Sequence, residues 1–477
     1  MNKILLSVLS VLIFLPALCQ QRSDEAMRYA AQKQWRSMCR RSVVLQPAAD
    51  LRPLKRTSAL TVYGTPGQGF VITARSKHLP AVLAYSDSKF PEENLPDGLQ
   101  WWMDRIGEAV EHSSYSAPAI EDYTPVEPLL KTTWAQESPY NALCPRIGGA
   151  WGSTPLTGCV ATAMAQILKY FQYPSTSTGK AYYLIDGSNA KHQVTLSTTY
   201  DWANMLNIYT WGYHDDQSKA VQELMRDCGY AAHTTYSTQG SGATAYDAGY
   251  GLAHNLRYDS LALSVDRRIF FADDDWMAAI YGELQAHRPI LYNAVDPNMM
   301  GHAFVLDGMD GEGRVHINWG WSGTANGYFD VRDLNGLAPS YPNPYTGGTI
   351  SYNFCEDQIM VTGFKAQETP DADEHYRSYF AMVEPDSMWI DNDSLKLKNV
   401  PMFNFSHLDF TGLLGVVIED STGHAVVQPF FYSPWQGNGT IGILNGFYPT
   451  SAYYPSATLN DADGKTPRPD GWYKIYL

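Results

Sequence analysis

Along the chain, apolar positions change period several times, and each change marks an element. Residues 24–35 read as a helix with Met27, Ala30 and Ala31 along one face. Three short strand-like runs follow at 59–63, 69–73 and 81–85, separated by the turn-rich stretches 64–68 and 75–80. Residues 99–112 return to a helical period, with Trp102, Ile106 and Val110 four apart. A polar, proline-punctuated stretch over 112–125 then reads as an exposed connection open to proteolysis. Further on, 160–171 is a strong helix former whose inward stripe is Ala161, Met164, Ile167 or Leu168, and Phe171. Residues 301–308 form a strand that turns at 310–313. Residues 314–319 come back with period two, placing Arg314, His316 and Asn318 on one face and Val315, Ile317 and Trp319 on the other. A second connection spans 365–374. The tail beyond it reads as all-β, with a hairpin candidate in which 416–418 and 425–427 flank residues 419–424. No internal repeat is present.

The length of 477 residues suggests roughly three domains of about 150 residues each. A net charge of −15 supplies no basic field for a phosphate backbone, so nucleic acid is excluded as the main partner. Only 17% of residues are charged while 44% are apolar, which is a folded protein and not an acidic disordered polymer. The N-terminus carries Lys3 and an apolar run over 4–18, too short for a comfortable span and suited to a secretory leader cut after Cys19. Lipidation at Cys19 is the weaker reading, because Leu18 is bulky where a small residue is expected. No later segment predicts a stable membrane span. The remaining cysteines, Cys39, Cys144, Cys159, Cys228 and Cys355, are odd in number, so at least one thiol stays unpaired or pairs between molecules. Neither CxxC nor HExxH occurs, and no metal or organic cofactor is expected.

Cys159 stands immediately before the predicted helix 160–171, at its N-terminus. Unpaired backbone N–H groups and the helix dipole there favour thiolate, the form that attacks a carbonyl carbon. A cysteine in that place also serves as a small buried hydrophobe, so a catalytic role needs partners. His302, opening its strand, is suited to accept the thiol proton and later protonate an amine leaving group. Asn318 is suited to orient that ring through its amide oxygen, with Trp319 shielding the bond from water. A histidine among apolar strand residues is also commonly structural, and spacing alone does not bring His302 to Cys159. The glycine-rich stretch 318–329 follows a strand without opening a helix and is no nucleotide fingerprint.

Taken together, Gly158-Cys159-Val-Ala-Thr-Ala-Met-Ala-Gln-Ile-Leu-Lys-Tyr, Gly301-His302-Ala-Phe-Val-Leu-Asp-Gly and His316-Ile-Asn-Trp-Gly-Trp-Ser-Gly closely resemble the streptopain family of secreted cysteine peptidases. The resemblance implies an α+β architecture: a papain-like two-subdomain catalytic fold preceded by an α+β propeptide. The all-β domain expected at the C-terminus departs from the short form of that family. It also implies Cys159 as nucleophile, His302 as general base and acid, Asn318 as the histidine-orienting residue and Trp319 as its aromatic neighbour. Trp134-Ala-Gln136-Glu-Ser-Pro-Tyr-Asn looks like the family segment that supplies an oxyanion-hole glutamine, which makes Gln136 the partner of the Cys159 backbone N–H. Segments 62–63, 69–72 and 83–85 resemble the propeptide sheet.

The domains expected are a signal peptide at 1–19, an inhibitory propeptide at 20–124, a papain-like peptidase domain at 125–364, a linker at 365–374 and a β-sandwich-like accessory domain at 375–477. The partners implied are protein or peptide substrates and the chain's own propeptide as intramolecular inhibitor. The location implied is secreted or extracytoplasmic, the cell envelope included. Two other classes fit the same residues. One is a secreted acyltransferase or amidase using the same dyad, and the other an inactive binding or adhesion protein. A structural metal site built from Cys159, His302 and His316 has no compact ligand spacing behind it.

Overall fold

Ser23 accepts a hydrogen bond from the Ala26 amide, and Asp24 and Glu25 occupy the first turn, so the first helix begins where its end is both capped and charge-matched. This helix, α1 (Asp24–Cys39), buries Met27, Ala31, Trp35 and Met38, one more turn than the apolar pattern predicts. In the computed structural model, the described residues run through 21–367, apart from short internal stretches of which 107–122 and 332–339 are the longest, and then continue as strands of the tail. The expected leader, the 112–125 connection up to residue 122 and most of the 365–374 connection therefore lie outside the described residues.

Strands β1 (Arg52–Arg56), β2 (Leu60–Gly64), β3 (Phe70–Ala74) and β4 (Val82–Ser86) form an antiparallel meander, each of the last three one residue later than the sequence pattern places it. After the helix α2 (Cys159–Phe171), the chain makes β5 (Lys180–Ile185), β6 (His192–Thr195), α3 (Asp215–Ala231), β7 (Thr235–Tyr236), α4 (Ala245–His254), β8 (Ser264–Arg267) and α5 (Asp273–Gln285). It then returns through β9 (Ile290–Val295), β10 (Gly301–Met309), β11 (Val315–Asn318), β12 (Gly327–Phe329), the short pair β13 (Ser340–Pro342) and β14 (Thr349–Ser351), and β15 (Gln358–Thr362).

The N-terminal strands and those that follow α5 meet in one sheet. Strand β4 pairs with β12, Tyr85 opposite Tyr328 and Ala84 opposite Phe329. The result is a single ten-stranded antiparallel sheet in the order β1-β2-β3-β4-β12-β11-β10-β9-β15-β8. Its main core is shared as well: Phe70, Leu83, Trp102 and Ile106 from the N-terminal region pack in one cluster with Trp276, Phe304, Trp319 and Phe329. The opposite face of the N-terminal strands carries α1, with Trp35 among Tyr63, Val71 and Tyr85. A smaller sheet, β6-β5-β7, lies outside this frame.

Residues Thr369–Leu477 form a separate compact unit. Its described elements are all strands. The predicted hairpin is present there as Gly415–Glu419 paired with Ala425–Pro429. At the start of the expected 365–374 connection, Ala366 bridges to Tyr258 and the Gln367 amide donates to the Arg257 carbonyl. No helix among the described residues is long and apolar enough to cross a membrane.

Candidate active site

The site is assembled by a segment that belongs to no helix or strand of its own. Val126 exchanges backbone hydrogen bonds with Met309, and the Leu129 amide donates to the Asp307 carbonyl, which lays residues 126–130 along β10. The Asp307 carboxylate fixes the next step, accepting from the Leu130 amide at 2.9 Å and meeting the His316 ring at 2.6 Å. His316 is thereby committed to a carboxylate partner. The chain then reaches Trp134, fully buried, whose indole N–H donates to the Leu206 carbonyl. Two residues later the Gln136 carbonyl accepts from the Thr157 amide at 3.1 Å, bringing Gln136 beside the loop that carries Cys159. The Gln136 side-chain amide makes no hydrogen bond among the described residues and remains partly exposed.

Cys159, expected just ahead of the helix, is the first residue of α2. The turn before it requires glycine: Gly158 has φ of 91°, and a Cβ there would meet the Ser241 carbonyl oxygen at 3.1 Å. Thr162 secures the turn by donating from its hydroxyl to the Gly158 carbonyl. Burial of the Cys159 sulfur pushes its pKa up. A hydrogen bond and charge from His302, with backbone N–H groups of Ala303 and Val160 aimed at the sulfur, outweigh that burial and hold the thiol below its ordinary value. Cys39, Cys144 and Cys228 are free as well, but burial raises the pKa of all three, Cys144 to about 12.

His302 opens β10 and is buried. Its Nε2 lies 3.2 Å from the Trp319 carbonyl oxygen. A carbonyl only accepts, so that nitrogen carries the proton and Nδ1 keeps the lone pair that takes a proton from the thiol. The indole of Trp319 is fully buried, packed on Phe304 and Phe329 at 4.8 and 5.1 Å, and its N–H donates to the Ala325 carbonyl. The glycine-rich stretch after Asn318 is thus a turn wrapped around this indole.

Asn318 differs from expectation. The bond that orients the His302 ring comes from the backbone carbonyl of Trp319, the next residue, and not from the Asn318 amide oxygen. The Asn318 amide donates to the Thr132 carbonyl at 2.8 Å and to Gln166 Oε1 at 3.1 Å, while its oxygen accepts from the Gly320 amide at 3.1 Å and from Gln166 Nε2 at 3.3 Å. Its bonds lie on either side of the Trp319 peptide, so it braces the carbonyl that meets the ring.

Sequence reasoning passed over two participants. Gln166, fully buried in α2, accepts from Thr132 Oγ1 and the Trp134 amide besides Asn318. The signal available was a glutamine inside an otherwise apolar helix. The other is Gly98 in the N-terminal region: a Cβ on it would lie 2.5 Å from the Trp319 ring and 2.7 Å from the His302 ring. This region is seated directly against His302 and Trp319.

A helix-borne thiol held toward thiolate beside a tautomer-fixed histidine, with Gln136 bonded through its backbone to the loop that carries the thiol, can carry out acyl transfer. Residues 134–329 match the model of the peptidase C10 family, and residues 28–110 match that of the Spi protease inhibitor. Streptopain of Streptococcus pyogenes is 31% identical over 330 residues, covering 65% of this chain and 81% of its own length. The chain belongs to the C10 family of cysteine peptidases.

Two further proteins are similar to the chain. A prointerpain A fragment of Prevotella intermedia, solved with a cysteine-to-alanine substitution, is 32% identical, with a TM-score of 0.56 over 67% of this chain and 99% of that one. The thiol protease/hemagglutinin PrtT of Porphyromonas gingivalis is 29% identical over 319 residues, and the match spans 62% of this chain but only 36% of PrtT. As a C10 peptidase, the protein is a secreted or extracytoplasmic cysteine-type endopeptidase with a papain-like α+β catalytic fold and an N-terminal inhibitor-like domain.

Proposed function

We propose that the chain is a latent endopeptidase in which Cys159, His302 and Gln136 carry the chemistry, Asn318 and Trp319 hold the histidine, and residues 20–124 inhibit the enzyme until they are removed. The observation that carries this reading is the His302 Nε2 held 3.2 Å from the Trp319 carbonyl oxygen, on a ring that lowers the pKa of the Cys159 thiol. The thiolate attacks the substrate carbonyl and a tetrahedral oxyanion forms. The Cys159 backbone N–H and the free Gln136 amide donate to that oxyanion. His302 protonates the departing amine, leaving an acyl-enzyme, and then draws a proton from water as it attacks the thioester, which releases the acid and restores the thiol. The substrates are proteins or peptides.

The seat of Gly98 on His302 and Trp319 supports the inhibitory role, since a chain lying there occupies space that a substrate needs. Within this reading the signal peptide is 1–19, the peptidase domain 125–364 in two subdomains, and the linker 365–374. Residues 375–477 form a β-sandwich-like accessory domain, a reading supported by the strands of the tail. The test is casein cleavage under reducing conditions by the full chain and its Cys159→Ala form, with mass spectrometry of casein and enzyme. Cleavage by the unsubstituted chain alone, with processing between residues 113 and 125, is the expected outcome. If neither cuts casein after an outside protease has removed the N-terminal region, the peptidase reading fails.

A further inference from the structure

Three pieces of chain meet at the active site: the segment that delivers Gln136, the helix that starts with Cys159, and the strand end whose carbonyl holds His302. All three are tied at one buried side chain. Gln166 lies seven residues after Cys159 on the same helix, about two turns down. Its Oε1 accepts from the Thr132 hydroxyl at 2.9 Å, the Trp134 amide at 3.2 Å and Asn318 Nδ2 at 3.1 Å, and its Nε2 donates to Asn318 Oδ1 at 3.3 Å. Thr132 and Trp134 precede Gln136, and the two residues bonded through Asn318 Oδ1, Asn318 and Gly320, bracket the Trp319 carbonyl.

We infer that Gln166 is a positioning residue of the catalytic machinery, setting the distance between nucleophile, histidine and oxyanion donor from beneath the site. This rests on the peptidase reading and deepens it. A primary amide is the group that fits: its oxygen takes the converging donors while its nitrogen supplies the one donor that Asn318 Oδ1 needs on that side. An apolar side chain of the same length fills the volume but leaves a hydroxyl, a backbone N–H and an amide buried without their acceptor, and the chain segments are then free to shift. A displacement of about 1 Å at a reacting group costs on the order of 10²-fold in rate.

The experiment uses the full chain, processed by an outside protease, with active sites counted by a thiol-directed irreversible inhibitor. Gln166→Met is compared with Ile167→Ala, which removes buried apolar volume from the same helix without touching the network. The expected result is a kcat per titrated site lowered about 10²-fold in Gln166→Met, with KM within about twofold, while Ile167→Ala keeps the parent's kcat per site despite a lower Tm. Equal kcat per site in the parent and Gln166→Met overturns the inference, as does an equal loss in Ile167→Ala. Should Gln166→Met fail to fold, Gln166→Glu decides. It retains an acceptor for every donor and, once ionised, sets an oxygen against Asn318 Oδ1, so a kcat deficit that narrows as pH falls is expected and a kcat equal to the parent's overturns the role. The parent is assayed alongside: an inactive parent removes the peptidase reading, whereas an active parent beside an unaffected variant removes only the role of Gln166.

Discussion

At Cys159 the balance of forces favours the charged form even though the sulfur is enclosed, because His302 and two backbone N–H groups oppose the desolvation. A depressed thiol pKa means that thiolate persists below the ordinary thiol value of about 8.5 and is lost only as pH falls through the lowered value. Alkylation of the processed enzyme by iodoacetamide, followed by peptide mass spectrometry, is therefore expected to modify Cys159 at neutral pH and leave Cys144 and Cys228 intact, since burial pushes both of those up. In His302→Ala the pH midpoint of Cys159 alkylation moves upward; an unmoved midpoint would show that the ring does not support the thiolate. Gln136 separates cleanly from this effect. Gln136→Ala is expected to lower kcat by about 10²–10³-fold while Cys159 alkylation stays at the parent's rate, because the donor acts on the oxyanion and not on the thiol. The helix start at Cys159 and the strand start at His302 were legible in the sequence because both are local signals. The way Asn318 works was not: whether an amide meets the ring itself or braces a neighbouring carbonyl depends on Thr132 and Gln166, which reach it from 186 and 152 residues away.

Among the elements, β4 and β12 form the seam between the N-terminal region and the peptidase. The Tyr85 hydroxyl donates to Asp310 at 3.0 Å inside the seam, and Arg314 binds the same carboxylate at 2.8 Å. Arg314 also lies over the Tyr85 ring, and Tyr328 stacks on that ring at 5.1 Å. Trp102 completes the contact, donating to the Asp330 carbonyl at 2.9 Å. A hydrogen bond to a charged group contributes about 1.5–3 kcal/mol. Tyr85→Phe keeps the ring and removes only that bond, so it is expected to loosen the seam by an amount of this order and to hasten processing of the full chain, followed by gel electrophoresis over time. An unaltered time course would place the rate-limiting contact elsewhere. The alternation along residues 314–319 announced a strand with one polar face, and that much was legible. That Arg314 and Asn318 on this face are buried was not, because what covers them is Tyr85 and Thr132, at distant points in the sequence. Strands β2, β3 and β4 were found to within one residue because turn formers bound them on both sides, whereas β1 was not marked by the apolar pattern.

For the molecule as a whole, local pattern marked out the pieces but carried no information about their union, since pairing between β4 and β12 links positions more than 200 residues apart. The common sheet has a consequence in time. Breaking the chain between residues 113 and 125 cuts one covalent tether and leaves the β4–β12 ladder and the common apolar core in place. Scission and the appearance of activity are then separate events: the first is a bond cleavage, the second a dissociation whose reversal is bimolecular. Casein turnover is expected to lag behind scission seen on a gel, and dilution after scission is expected to shorten that lag by suppressing reassociation. Activity that rises in step with scission at every concentration would contradict this. Inhibition by the severed fragment would make the onset of proteolysis a matter of volume: a freshly cut enzyme stays quiet where it is crowded and becomes active as it disperses.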